Sequence, residues 1–173
     1  MIRIALTGPE STGKSELAER LALHYNTLWV PEFAREYIAS INRSYTLDDI
    51  LLIAQKQFEH ENAAALNANF MLFCDTEATV TKIWAEHSYR QCPEWIRENI
   101  ASHHYDLYLL CNIDLPWQQD PQREHPHLRA YFFNLYQKEL SDRNVPFAVI
   151  SGNGESRLQN ALEAVETMLK SKK

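Results

Sequence analysis

The 173-residue chain has only four glycines and three cysteines, no long apolar run and no cluster of basic residues. Each scarcity excludes something. Cys74, Cys92 and Cys111 are odd in number and follow no Cys-x-x-Cys or Cys/His spacing, so a disulfide framework and a zinc site are not expected; buried, reduced thiols are. No stretch approaches the ~20 apolar residues that cross a bilayer, and the opening MIRIALTGPE lacks the layout and cleavage site of a signal peptide. A cytoplasmic protein with no membrane partner is expected. Lys and Arg number 17 against 23 Asp and Glu, for a formal charge of −6, which argues against DNA as a partner. The four glycines fall in two pairs, Gly8 with Gly13 and Gly152 with Gly154, and none lies between.

What is present suits a folded domain. Hydrophobic residues make up 45% of the chain, and a chain of this length buries about 70% of its unfolded surface. No linker or repeat divides it, so residues 1–173 are expected to form one domain. Short apolar runs recur at Ile2–Leu6, Thr27–Val30, Phe70–Cys74, Leu107–Cys111 and Phe147–Ile150. Their near-continuous hydrophobicity predicts strands covered on both faces of a parallel sheet. Segments of helical period follow them. One starts near Gly13 and carries Leu17 and Leu21 to about His24. Another opens with a capping box, Thr46 and Asp49. Val80, Ile83, Trp84 and His87 share a face of a third, Pro93 starts a fourth, and Leu158, Ala161, Leu162, Val165 and Leu169 line the last. Alternating strands and helices define an α/β fold with right-handed crossovers.

Directly after the first strand stands Gly8-Pro9-Glu10-Ser11-Thr12-Gly13-Lys14-Ser15, a complete G-x-x-x-x-G-K-S. Its glycines let successive backbone N–H groups turn inward, and the helix that follows adds its positive N-terminal end. Residues Gly8, Glu10, Ser11, Thr12, Gly13, Lys14 and Ser15 are therefore expected to hold ATP, with Lys14 on the β- and γ-phosphates and the Ser15 hydroxyl on magnesium. Asp75 ends the third apolar run, at the strand end where open α/β sheets bind ligands. It is expected to act on the magnesium side, or to cap the helix beginning near Glu77. Glu32 follows the second strand in Val30-Pro31-Glu32-Phe33-Ala34-Arg35-Glu36-Tyr37. Its carboxylate is placed to take a proton from a substrate hydroxyl, and Arg35, one turn on, to pair with it or to hold substrate hydroxyls. A structural Glu32–Arg35 pair is the plainer alternative. Residues 114–128 (DLPWQQDPQREHPHL), with three prolines, cannot form a regular strand or a long helix and read as a lid.

The segments GPESTGKS, PEFAREY, CDTE and YDLYLLC…DLPWQQDPQR resemble the ribosylnicotinamide kinase domain of NadR-type proteins, over nearly the whole chain. The resemblance implies a three-layer P-loop fold of nucleoside-kinase type, with five parallel strands in the order 2-3-1-4-5. It implies transfer of the ATP γ-phosphate to the 5′-hydroxyl of nicotinamide riboside, giving nicotinamide mononucleotide. Another nucleoside or small nucleotide as acceptor, or a regulatory ATPase of the NadR-like group, are the alternatives. No H-x-G-H signature occurs, so the chain is expected neither to make NAD from the mononucleotide nor to bind an operator. Within this frame Glu32 is assigned as the general base and Asp75, with Ser15, to magnesium, the exchanged assignment of the two carboxylates being the alternative, and Arg123, with Arg129 where the lid meets its helix, steadies the transferring phosphoryl group. A pyridinium acceptor favours an aromatic face; Trp117 in the lid is the leading candidate, with Tyr37 and Trp84 as others, although the helical spacing of Trp84 with Val80 and Ile83 favours core packing, and Trp29 reads as core. Asn153, beside the second glycine pair, lies where such kinases pass near adenine. Tyr131, Phe132, Phe133 and Tyr136 are expected to bury at the lid base or in a homo-oligomer.

Overall fold

All five apolar runs form strands in the computed structural model, which describes residues 1–172. They are β1 (Ile2–Thr7), β2 (Leu28–Val30), β3 (Met71–Asp75), β4 (Leu107–Cys111) and β5 (Phe147–Ile150). The strands pair in parallel in the order β2-β3-β1-β4-β5. Seven helices connect and cover them: α1 (Lys14–His24), α2 (Phe33–Ser40), α3 (Leu47–Ala65), α4 (Ala78–Tyr89), α5 (Glu94–Ser102), α6 (Arg129–Asp142) and α7 (Gly154–Ser171).

Successive side chains of a strand point to opposite faces, and both faces here are apolar because both are covered. Ile4, Leu6, Phe73 and Leu109 pack under α1 and α7, against Leu17, Leu21, Leu162 and Val165. The alternate residues Ala5, Leu72, Cys74 and Leu110 pack on the other side with Ile83, Tyr136 and Leu140. A third cluster joins α3, α4 and α5 through Ile50, Ala85, Ile96 and Ile100. Truncating Phe73 to Ala, with no exposure to begin with, would cost about 3–5 kcal/mol by the usual scale for such cavities. Cys74, Cys92 and Cys111 are buried free thiols. Among the described residues no helix is long and apolar enough to cross a membrane.

The differences from the sequence reading are small and mostly at strand ends. β1 and β3 each run one residue further, to Thr7 and Asp75, and Phe70 lies outside β3 and is exposed. Pro93 is the N-cap of α5, not its first residue. The capping box of α3 forms, with the Asp49 amide donating to Thr46 Oγ1 at 3.3 Å and the Thr46 amide to Asp49 Oδ2 at 2.7 Å. In register Leu6 lies opposite Asp75, so the chain leaves β1 for Gly8 directly beside the end of β3.

Candidate functional site

The turn after β1 needs its glycines. Gly8 has φ +129°, and a Cβ there would meet the Cys111 carbonyl oxygen at 2.9 Å. Gly13 has φ +73° and closes on Leu115 Cδ1 at 3.0 Å. Gly13 is also the N-cap of α1 and offers no side chain to its first-turn amides, which leaves those donors for an anion. Lys14 Nζ donates to the carbonyl oxygens of Gly8 and Pro9, each at 3.0 Å, and so stands over the loop. Thr12 Oγ1 tightens the turn by donating to Pro9 O at 2.8 Å. The loop borders a cavity of 410 Å³ that also touches Glu32, Arg35, Arg123 and Arg129.

Ser15 and Asp75 meet beneath Lys14. Ser15 Oγ donates to Asp75 Oδ2 at 2.5 Å, while the buried Oδ1 has no hydrogen-bond partner. Burial, reinforced by the charge of Glu32, pushes the Asp75 carboxyl up to about 6, against the pull of Lys14, Ser15 and Arg35. Asp75 does not cap α4; Glu77 does, with its side chain accepting from the Thr79 amide at 2.7 Å. A hydroxyl and a carboxylate side by side, with one oxygen left over, suit a hard divalent cation such as magnesium, which takes oxygen ligands. Ser15 and Asp75 thus fit the metal role expected of them.

Glu32 is the N-cap residue of α2 but makes no capping bond, and among the described residues its carboxylate accepts no hydrogen bond. It faces the cavity unengaged. A residue that sequence reasoning missed ties the start of α2 to the end of β3. The Gln57 side chain, from α3, accepts the Phe33 amide at 2.9 Å and donates to the Asp75 carbonyl at 3.3 Å. Gln57 is buried on α3, as are Asp49 and Glu61 of the same helix. Arg35 does not pair with Glu32; it bonds Asp120 at 2.8 Å.

The 114–128 segment carries no helix or strand and lies across the phosphate loop. The Gln118 amide donates to Ser11 Oγ at 2.9 Å. The Glu124 and His125 amides donate to the Glu10 carboxylate at 3.2 and 3.3 Å. Arg123 lines the cavity and donates to Gln118 O at 2.7 Å. Arg129, the first residue of α6, reaches Leu115 O at 2.9 Å and Ser11 O at 3.0 Å. It ties the start of the lid to the loop while also lining the cavity.

Three residues expected at the ligands lie outside the lining of this cavity. Trp117 does not line the cavity; its ring lies 5.9 Å from the Arg129 guanidinium carbon. Tyr37 is taken up in structure, its hydroxyl donating to Asp49 Oδ1 at 2.6 Å. Asn153 caps α7, its amide donating to Ser156 Oγ at 3.2 Å, and it stands outside the cavity lining. The aromatic wall is instead Tyr45 and Trp84, edge to face at 4.8 Å, with Phe132 and Tyr136 beyond. Trp84 therefore serves core and cavity together, since it also packs on the α3–α5 cluster. Of the α6 aromatics, Phe133 joins the core and Tyr131 stays half exposed.

Arg157 is the other residue that sequence reasoning missed. It is buried at the second turn of α7 and donates to Asp114 Oδ1, Gly152 O and Thr12 O, each at 2.8 Å, and to Asn112 O at 3.0 Å. One guanidinium thus joins the phosphate loop, the turn after β4 and the turn after β5. Its place in an amphipathic helix gave no signal.

A family described as an AAA domain matches residues 3–157. The trifunctional NAD biosynthesis/regulator protein NadR of Escherichia coli (strain K12) is 27% identical over 175 residues, covering 96% of this chain and 42% of its own length. The chain thus spans about two-fifths of that curated relative. Among solved structures, NadR in complex with NR superposes with a TM-score of 0.79 at 24% identity, over 96% of this chain and 51% of the other. A deoxyadenosine kinase from M. mycoides gives 0.65 at 12% identity, over 98% of this chain and 100% of its own. Both share the five-stranded P-loop fold.

Proposed function

From the fact that the chain belongs to the AAA domain family, and from its likeness to NadR, we propose that it is an ATP-dependent kinase. Its acceptor on this reading is the 5′-hydroxyl of nicotinamide riboside, and its product nicotinamide mononucleotide.

The observation that carries the reading is an unengaged carboxylate facing a phosphate loop across one cavity. Lys14 and the amides at the start of α1 hold the β- and γ-phosphates. Glu32, free of partners, accepts the proton of the acceptor hydroxyl as that oxygen attacks the γ-phosphorus and the bond to ADP breaks. Gln57 keeps Glu32 in place. Ser15 and Asp75 would hold magnesium, which would supply positive charge to offset that of the phosphates. Arg123, from the lid, faces the charge that spreads over the transferring group, a contribution that reaches ~10³-fold in related chemistry. The lid covers the site and limits loss of the phosphoryl group to water.

The acceptor ring goes to the aromatic wall. Tyr45 and Trp84 offer ring surface, and the Glu124 carboxylate, which accepts the Tyr45 hydroxyl at 3.0 Å, adds negative charge beside it. Such a wall favours a pyridinium cation by about 0.5–2 kcal/mol.

Glu32→Gln and Lys14→Ala test the assignment together. Glu32→Gln is expected to bind Mg-ATP as the parent does and to lose transfer; Lys14→Ala is expected to lose both. Full transfer by Glu32→Gln removes the base, and normal ATP affinity and turnover in Lys14→Ala removes the phosphate site.

A further inference from the structure

The phosphate loop and the lid are joined through side chains of the loop itself. Glu10 and Ser11 occupy variable positions of G-x-x-x-x-G-K-S, where the phosphate chemistry asks only for backbone amides. Here they point outward to the lid. Both Glu10 carboxylate oxygens face the Glu124 amide, at 3.4 and 3.2 Å, and one also accepts the His125 amide at 3.3 Å. Ser11 Oγ accepts the Gln118 amide at 2.9 Å, and the Gln118 carbonyl accepts from the Arg123 guanidinium at 2.7 Å. The Arg123 amide closes a turn onto Asp120 O at 3.0 Å, and Asp120 is pinned by Arg35. The residues on both sides of Arg123 are thus held by the phosphate loop.

Resting on the kinase reading above, we infer that Glu10 is a positioning residue for Arg123. Its carboxylate fixes the lid backbone at Glu124 and His125, so that the arginine faces the phosphates only while the loop has its folded, phosphate-ready shape. Loop formation and arginine delivery then become one event. Backbone amides on a carboxylate suit this work: an ionised acceptor makes stronger bonds than a neutral one, and amide donors carry no side-chain freedom to be lost.

The residue makes no demand on ATP affinity in this scheme, and that separates it from a merely structural loop position. Glu10→Ala is expected to lower kcat by ~10–100-fold, the range in which small misplacements of catalytic groups fall, with KM for Mg-ATP changed by less than about threefold, as expected when only a transition-state interaction is lost. Glu10→Gln, whose amide oxygen still accepts from the lid, is expected to recover most of the loss. In a double-mutant cycle Glu10→Ala is expected to add nothing to Arg123→Ala, because the two changes remove one effect. Multiplying losses, or Glu10→Gln as impaired as Glu10→Ala, would overturn the inference.

A second readout does not depend on turnover of any riboside. Amide exchange at Glu124 and His125 is expected to quicken in Glu10→Ala relative to the parent, with exchange in β1 and β4 unchanged. Equal exchange at those two amides overturns the latch even if the acceptor is another molecule. Absence of transfer in the parent protein, with exchange at the two amides responding to Glu10→Ala, would instead count against the kinase reading alone.

Discussion

The Phe33 amide donates to Gln57 Oε1 at 2.9 Å, and the same side chain reaches the carbonyl of Asp75. One buried amide thus spans the start of α2 and the end of β3, the two places that present Glu32 and Asp75. Gln57→Ala leaves the Phe33 amide without this partner and loosens Glu32 from the phosphate side. A stability loss of about 1–3 kcal/mol is expected, with kcat reduced ~10-fold and KM for Mg-ATP nearly constant, which steady-state kinetics beside a urea titration would read. A drop in stability with kcat intact would show that Glu32 is placed by other means.

Arg157 is tested by its partners. Removing it strands the carbonyls of Thr12, Asn112 and Gly152, and leaves Asp114 to solvent on one side. Arg157→Ala is expected to cost about 2–4 kcal/mol in chemical denaturation. Arg157→Lys is expected to recover only part, because an ammonium cannot reproduce the planar fork. Recovery to the parent value would mean that charge alone matters there.

The strands and the phosphate loop were legible because their signals are local. Apolar runs of four or five residues, and a motif whose glycines are demanded by backbone φ, need no partner in order to be recognised. Glu32, Asp75 and Arg123 were legible for the same reason, as residues at strand ends or in a proline-rich segment. Gln57 and Arg157 were not. Each sits on an amphipathic helix where a polar residue normally faces water, and each is made important by carbonyls from distant strands. Trp117 shows the opposite difficulty. It lacks apolar periodicity and so looked free for a ligand, but Arg129 comes to lie beside its ring.

The aromatic wall separates two tryptophans that composition cannot tell apart. Trp84→Leu is expected to raise KM for nicotinamide riboside by ~3–30-fold, the range of a cation–π contact, and to leave KM for ATP unchanged. Trp117→Leu is expected to leave both nearly unchanged. The reverse pattern would return the acceptor ring to the lid.

A buried carboxyl on α3 gives a pH dependence apart from the site. Glu61 is 1% exposed and accepts the Tyr105 hydroxyl at 2.7 Å. Burial pushes its carboxyl up from 4.5 to about 7, against the pull of Tyr105, Cys74 and Arg3. The folded state therefore holds a proton that the unfolded chain has lost between pH 4.5 and 7. Stability from this group is present below that window and lost as pH rises through it, by about 3 kcal/mol in all. Nearby His103, its ring nitrogen 3.8 Å from the Glu61 carboxylate, is pushed down to about 4 by burial and by Arg3 and contributes with the opposite sign only below the unfolded histidine value of about 6.5. Relative to Glu61→Gln, the parent is expected to lose stability from pH 5 to pH 8 in denaturant titrations. A constant difference across that range would mean that Glu61 is ionised throughout.

Product mass shows directly whether a riboside receives the phosphate. Purified protein would be incubated with Mg-ATP and a set of ribosides, and the products scored for one added phosphate and for its position by NMR. Nicotinamide mononucleotide, phosphorylated at the 5′-oxygen, is expected, with one ADP formed per product. ATP consumed with no phosphorylated riboside, or a product from another nucleoside and none from nicotinamide riboside, would contradict the proposed transfer.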